Sequence, residues 1–207
     1  MSDIPLILFA KVPKAGKVKT RLTPQLSFEQ AKKVAEILLI KTLQLATKYW
    51  SGKVILAVWP NDQDEFIQKL QSQFMIELMV QVEGDLGQKM QTAMQSVGYP
   101  CAVLGCDVPH LPELQLIKAH DNLLSGKDVI GPTNDGGYYL LGLQESTPSL
   151  FIKQDWGNDS VLQQSYVIAK QRQIDFSILS AISDIDTYED LKMASQTISQ
   201  LRKFIIS

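Results

Sequence analysis

Five cations stand close together near the N-terminus: Lys11, Lys14, Lys17, Lys19 and Arg21, with no acid between Asp3 and Glu29. The whole chain carries 20 basic and 22 acidic residues, a net charge of −2. So local a concentration of positive charge is expected to receive an anion. Lysine and arginine donors suit phosphate oxygens, and Gly16 lets the backbone come close to a ligand. The stretch is not a P-loop: Gly16-Lys17 is followed by Val18 rather than Ser or Thr, and Lys11 stands where the leading glycine belongs. The competing reading is a solvated basic turn.

Three carboxylates have positions suited to a hard cation such as Mg²⁺. Asp107 ends the apolar run Val103-Leu-Gly-Cys-Asp. Asp184 and Asp186 are separated by one residue, so in an extended segment they point the same way. Each has a structural alternative, Asp107 as a turn cap and Asp186 or Thr187 as the cap of a final helix. Asp135-Gly136-Gly137-Tyr138-Tyr139 is either a tight turn or a place where backbone and phenol rings meet a ligand. Trp156-Gly-Asn-Asp-Ser160 is either a surface helix start capped by Asn158 or Asp159, or a place where Trp156 walls a pocket. His110 and His120 lack partners at metal spacing. No Ser/Cys–His–Asp order is legible, and Cys106 is a weak nucleophile candidate.

These residues need a scaffold, and the chain supplies alternating strand and helix patterns. Strands are expected at Ile4–Ala10, Val54–Trp59, Met75–Val82, Ala102–Cys106, Val129–Ile130, Tyr138–Leu143 and Ile174–Leu179. Ser27 with Gln30 forms a capping box that opens a helix. That helix turns Ala31, Val34, Ala35, Leu38, Thr42, Leu45 and Ala46 inward. Further helices are expected at Asp62–Gln73, Leu86–Val97, Pro112–Leu124, Ser160–Gln171 and Tyr188–Leu201. The fold class is therefore α/β, one domain over residues 1–207, with a largely parallel sheet made mixed by the break at 129–143. The basic stretch falls just after the first strand, where open α/β sheets place ligands.

Composition narrows the classes further. Apolar residues make up 45% and charged residues 20%, which excludes disorder and coiled coil. No apolar run reaches the ~20 residues of a spanning helix. Two cysteines, Cys101 and Cys106, cannot form a disulfide framework, and a cytoplasmic location is expected. An acidic remainder without interleaved aromatics speaks against a nucleic-acid partner.

Five ordered blocks carry a resemblance: KVPKAGKVKTRL at 11–22, GDLGQKM at 84–90, GCDVPHL at 105–111, GPTNDGGYYLLGL at 131–143 and DIDTYEDL at 184–191. Together the chain resembles the bacterial glycosyltransferase-A-like family, also described as radical-SAM/selenodomain-associated transferases, of the nucleotide-diphospho-sugar transferase superfamily. The first block is also similar to the corresponding loop of phospholactate guanylyltransferases. The resemblance implies a Rossmann-like GT-A domain acting on a nucleotide or nucleotide-sugar donor and a small-molecule acceptor, with Mg²⁺ or Mn²⁺. It implies nucleotide contacts from Lys11, Gly16, Lys19, Arg21 and Gly87, and metal ligation by Asp107, Asp184 and Asp186. An acceptor or sugar would lie over Asp135, Gly136, Gly137, Tyr138, Tyr139 and Trp156, with Arg21, Asp107 and Asp135 as the catalytic group. The expected activity is sugar transfer. The alternatives are nucleotidyl transfer from a nucleoside triphosphate with pyrophosphate release, and a non-catalytic nucleotide-binding module.

Overall fold

The structure, a computed structural model, describes residues 4–152, 156 and 159–205. Three apolar segments, β1 (Leu6–Lys11), β2 (Val54–Trp59) and β4 (Cys101–Gly105), lie side by side in parallel at the centre of the sheet. Their burial on both faces explains their near-continuous apolar sequences. The edge strand β3 (Glu77–Val80) joins β2, and β6 (Tyr138–Leu143) joins β4. The sheet continues through β5 (Val129–Pro132) to β7 (Ser177–Ile178), in the order β3-β2-β1-β4-β6-β5-β7. Only β6 runs antiparallel to its neighbours, which makes the sheet mixed, as the broken alternation implies.

Among the described residues, six α-helices accompany these strands: α1 (Phe28–Tyr49), α2 (Glu65–Phe74), α3 (Leu86–Val97), α4 (Glu113–Leu124), α5 (Val161–Arg172) and α6 (Tyr188–Thr197). The Ser27–Gln30 capping box is formed on both sides. Asp85 and Gln88 form a second one at α3. Some boundaries differ from the pattern for local reasons. Asp64 caps α2 through the Phe66 amide, so that helix begins later than Asp62. Met75 takes a left-handed conformation that ends α2 and delays β3 to Glu77. The last helix stops at Thr197, where Ile198 turns extended before a 3₁₀ turn at Ser199–Phe204. Asn158 lies outside the described residues; Ser160 occupies the position before α5 and makes no side-chain cap bond.

Two large apolar clusters sandwich the sheet. One includes Leu6, Leu8, Leu39, Leu43, Leu56 and Leu104; the other includes Ile7, Met90, Met94, Val103, Leu141 and Phe151. A third cluster gathers Leu22, Leu26, Val34, Leu38, Ile185 and Leu191. It clamps the segment after β1 and the segment before α6 onto the same helix, α1. Burying a side chain of this size contributes about 1.5–3 kcal/mol, so the clamp holds the basic stretch next to Asp184 and Asp186.

Candidate functional site

After β1 the chain is held by two buried anchors, Val12 and Val18, with a turn between them. Gly16 makes that turn possible at φ 72°, and the Lys17 amide closes it on the Lys14 carbonyl at 3.0 Å. Lys19 is left-handed at φ 47°, unusual for a residue with a Cβ and common at functional sites. Its side chain is only 6% exposed, and its Nζ lies 2.9 Å from Asp107 Oδ1 and 3.5 Å from Asp186 Oδ1. It also donates to the Ile185 carbonyl at 2.5 Å. Burial pulls the ammonium pKa down, but Asp107 and Asp186 outweigh it and hold Lys19 above its ordinary value. Arg21, in the following 3₁₀ turn Thr20–Leu22, is largely exposed and donates from Nη1 to Asp186 Oδ2 at 2.6 Å.

Opposite stands the acidic side. Asp107 follows the tip of β4, and its carbonyl accepts from the Ile185 amide at 3.0 Å. Thr187, with Asp190, caps α6 in a capping box, and Asp190 Oδ2 also accepts from the Asp186 amide at 3.2 Å. The cap of the final helix is thus Thr187 with Asp190, one of the two capping alternatives, rather than Asp186. Burial, then Asp135 and Asp186, push the Asp184 carboxyl up to about 6. Burial and the Asp107 charge push the Cys106 thiol far up, so it stays protonated and is no nucleophile at neutral pH.

Between these sides opens a cleft of about 420 Å³, lined by Lys11, Lys17, Lys19, Arg21, Asp107 and Asp186 among others. A second cleft of about 240 Å³ adjoins it and holds Asp135, Gly137, Tyr138, Tyr139 and Trp156. Arg21, Asp186, Phe9, Leu86 and Gly105 border both. Tyr138 and Trp156 meet edge to face, centroids 6.4 Å apart. Tyr138 Oη and Trp156 Nε1 are buried and find no hydrogen-bond partner among the described residues. A third cleft of about 300 Å³ meets the first at Phe9, Lys11 and Leu86.

The expected site residues thus come together unevenly. Lys11, Lys19, Arg21 and Asp107 line the first cleft, whereas Gly16 shapes the turn behind it. At Gly87 a Cβ would collide with the Phe151 carbonyl and the Trp156 ring, so the glycine lets α3 pack closely there. Gly136 likewise packs against the Asp159 backbone. Tyr138 and Tyr139 alternate along β6, so their rings lie on opposite faces; Tyr139 covers Gly131 and donates to the Ser180 carbonyl at 3.3 Å.

Among the described residues, no three His, Cys, Asp or Glu side chains gather closely enough to hold a metal ion. The Lys19 ammonium stands between Asp107 and Asp186 instead. Sequence patterns gave no hint of the third cleft, which Trp59, Gln81 and Lys89 build from three separate elements. There Gln81 Nε2 donates to the Ala10 and Ala57 carbonyls, and Lys89 Nζ sits 3.8 Å from the Trp59 ring centroid.

A Rossmann-like mixed sheet with this cation-lined cleft at the carboxyl end of β1 is the nucleotide-diphospho-sugar transferase fold. The chain belongs to DUF2064, a family described as uncharacterized proteins conserved in bacteria, which matches residues 42–158. That span includes Asp107 and 135–139 but not the basic loop or Asp184 and Asp186. No curated protein matches the chain. A protein from Desulfovibrio desulfuricans G20, named provisionally as a nucleotide-diphospho-sugar transferase, superposes with a TM-score of 0.84 at 26% identity, covering 100% of both chains. A CMP:2-keto-3-deoxy-manno-octonic acid synthetase complexed with CTP shares the fold at 8% identity, with a TM-score of 0.58 over 96% of this chain and 99% of that one. A Mycobacterium tuberculosis H37Rv protein complexed with manganese does so at 15% identity, also with a TM-score of 0.58, over 95% and 100%.

Proposed function

We propose that the chain is a transferase acting on a nucleotide-activated donor, with the donor's phosphates in the first cleft and the transferred group and acceptor in the second. The observation that carries this reading is the meeting of the two clefts at Arg21 and Asp186. One side of that junction is lined by cations, the other by apolar and aromatic walls with a carboxylate at the edge. A molecule with a polyphosphate at one end and a group to be transferred at the other fits such a pair. The whole-chain likeness to the Desulfovibrio desulfuricans protein supports a nucleotide-sugar as the donor.

In that reaction the bond between the sugar carbon and the diphosphate oxygen breaks, and a bond to an acceptor oxygen forms. Lys11, Lys17 and Arg21 stabilise the negative charge that grows on the leaving diphosphate. Asp135, exposed at the second cleft, is the carboxylate positioned to take the acceptor's proton. The acids also suit a divalent cation in one respect, the hardness of their oxygens. Asp107, Asp186 and Asp184 would hold Mg²⁺ or Mn²⁺ only together with donor phosphate oxygens, since among the described residues no three acids converge unaided. Bound there, the ion would supply Lewis-acid charge to the leaving phosphates.

Nucleotidyl transfer is the second reading, favoured by the several cations lining the first cleft, which suit a triphosphate equally well. The discriminating experiment supplies Mg²⁺, a panel of nucleoside diphosphate-sugars or triphosphates, and candidate acceptors. Release of nucleoside diphosphate from a nucleotide-sugar supports sugar transfer. Acceptor-dependent pyrophosphate release from a triphosphate overturns it in favour of nucleotidyl transfer.

A further inference from the structure

At Lys19 a side-chain cation is buried among acids. An ammonium has three N–H donors, and here three oxygens surround it: Asp107 Oδ1 at 2.9 Å, the Ile185 carbonyl at 2.5 Å and Asp186 Oδ1 at 3.5 Å. The left-handed backbone at Lys19 aims the side chain inward rather than toward solvent with Lys14 and Lys17. Asp107 is 45% exposed at the first cleft, whereas Asp186, 35% exposed, has Oδ1 near Lys19 and Oδ2 accepting from Arg21 Nη1. The arrangement is that of a cation site already filled by the chain's own charge.

We propose that Lys19 is the resident counter-ion of Asp107 and Asp186, and that a divalent cation enters only together with a nucleotide's phosphates. The inference rests on the nucleotide reading above and adds an order of binding to it. A divalent ion alone would compete for oxygens that Lys19 occupies and would sit beside a like charge it cannot displace into water cheaply. A bound diphosphate changes both terms. Its oxygens offer the ammonium new partners in the same cleft and give the metal the extra ligands that three unconverged acids lack. The species recognised is then the metal–phosphate complex, not the free ion. Until it arrives, Lys19 keeps Asp107 and Asp186 from repelling each other.

Mn²⁺ is a suitable probe, because its paramagnetic resonance signal reports the free ion directly. Titrated into the wild-type protein alone, Mn²⁺ is expected to stay free. Added with whichever of ADP, CDP, GDP and UDP most raises the melting temperature, it is expected to be taken up beyond what that nucleotide binds without protein. Lys19→Met removes the ammonium and should strengthen Mn²⁺ binding to the nucleotide-free protein by at least about tenfold. Lys19→Arg keeps a positive charge and should leave the free protein silent to Mn²⁺. Wild-type protein that binds Mn²⁺ equally well with and without nucleotide would overturn the inference, as would a folded Lys19→Met variant that gains nothing. If Lys19→Met does not fold, the wild-type comparison alone decides. Absence of any thermal shift with all four nucleotides would instead count against the nucleotide reading itself.

Discussion

Asp184 shows how a single side chain can be set by its surroundings. Folding raises its carboxyl from 3.8 to about 6, first through burial and then through Asp135 and Asp186. A carboxyl whose folded pKa exceeds its unfolded one contributes stability that is present below pH 3.8 and lost as pH rises through about 6. Ionised Asp184 therefore costs stability at neutral pH. In metal-free buffer Asp184→Asn should stabilise the protein at pH 7.5 by about 1–2 kcal/mol, after allowance for partial solvent screening. At pH 3.5 the difference should vanish. Denaturant unfolding at the two pH values measures this, and an equal change at both would assign Asp184 a purely structural part. The pairing of Asp184 with Asp186 was legible from their spacing. Their charge partners were not, because Asp135 and Lys19 reach them only through the fold.

At the scale of elements, the site depends on two segments whose apolar or glycine residues set the chemical groups beside them. Ile185, between the two acids, is 1% exposed and sits in the cluster with Leu22 and Leu191. Ile185→Ala should lower stability by about 2–5 kcal/mol and weaken nucleotide binding, because it loosens the clamp that sets Asp186 beside Arg21. Thermal unfolding and titration calorimetry would check both; a stability loss with binding intact would separate the clamp from the site. The turn between β5 and β6 is the second such segment. Gly136 has φ 90°, and a Cβ there would strike the Asp159 backbone. Gly136→Ala should thus cost more than about 1–3 kcal/mol of local strain and disturb the wall of the second cleft, with a fall in melting temperature as the readout. Much of this level could be read from the sequence: the bounds of α3 and β6, the capping box at Ser27 and the tight turn at 135–137. Met75 and Ile198 could not, since a left-handed cap and an extended break follow from packing rather than from periodicity.

The whole molecule explains why residues 11, 107, 135 and 186 belong to one site. Parallel pairing of β1 with β2 and β4 puts the carboxyl ends of the three central strands on one edge, and antiparallel β6 starts at that same edge. The α/β class and a mixed sheet were readable from the alternation and its interruption. Strand order was not, because nothing local tells β6 to insert between β4 and β5. The same long-range assembly made the cleft of Trp59, Gln81 and Lys89 invisible in the sequence. The central claim is that the β1 loop grips the phosphates of a nucleotide. Arg21 offers the sharpest test, since its exposed pair with Asp186 should contribute only about 0–1 kcal/mol to folding, while a charge-assisted bond to phosphate is worth about 1.5–3 kcal/mol. The measurement is a calorimetric titration of ADP, CDP, GDP and UDP, with Mg²⁺, into wild-type protein and Arg21→Ala. The account predicts one-site binding of at least one diphosphate, weakened about 10- to 150-fold in the variant, with the melting temperature nearly unchanged. No binding by any of the four, or equal affinity in both proteins, would contradict it.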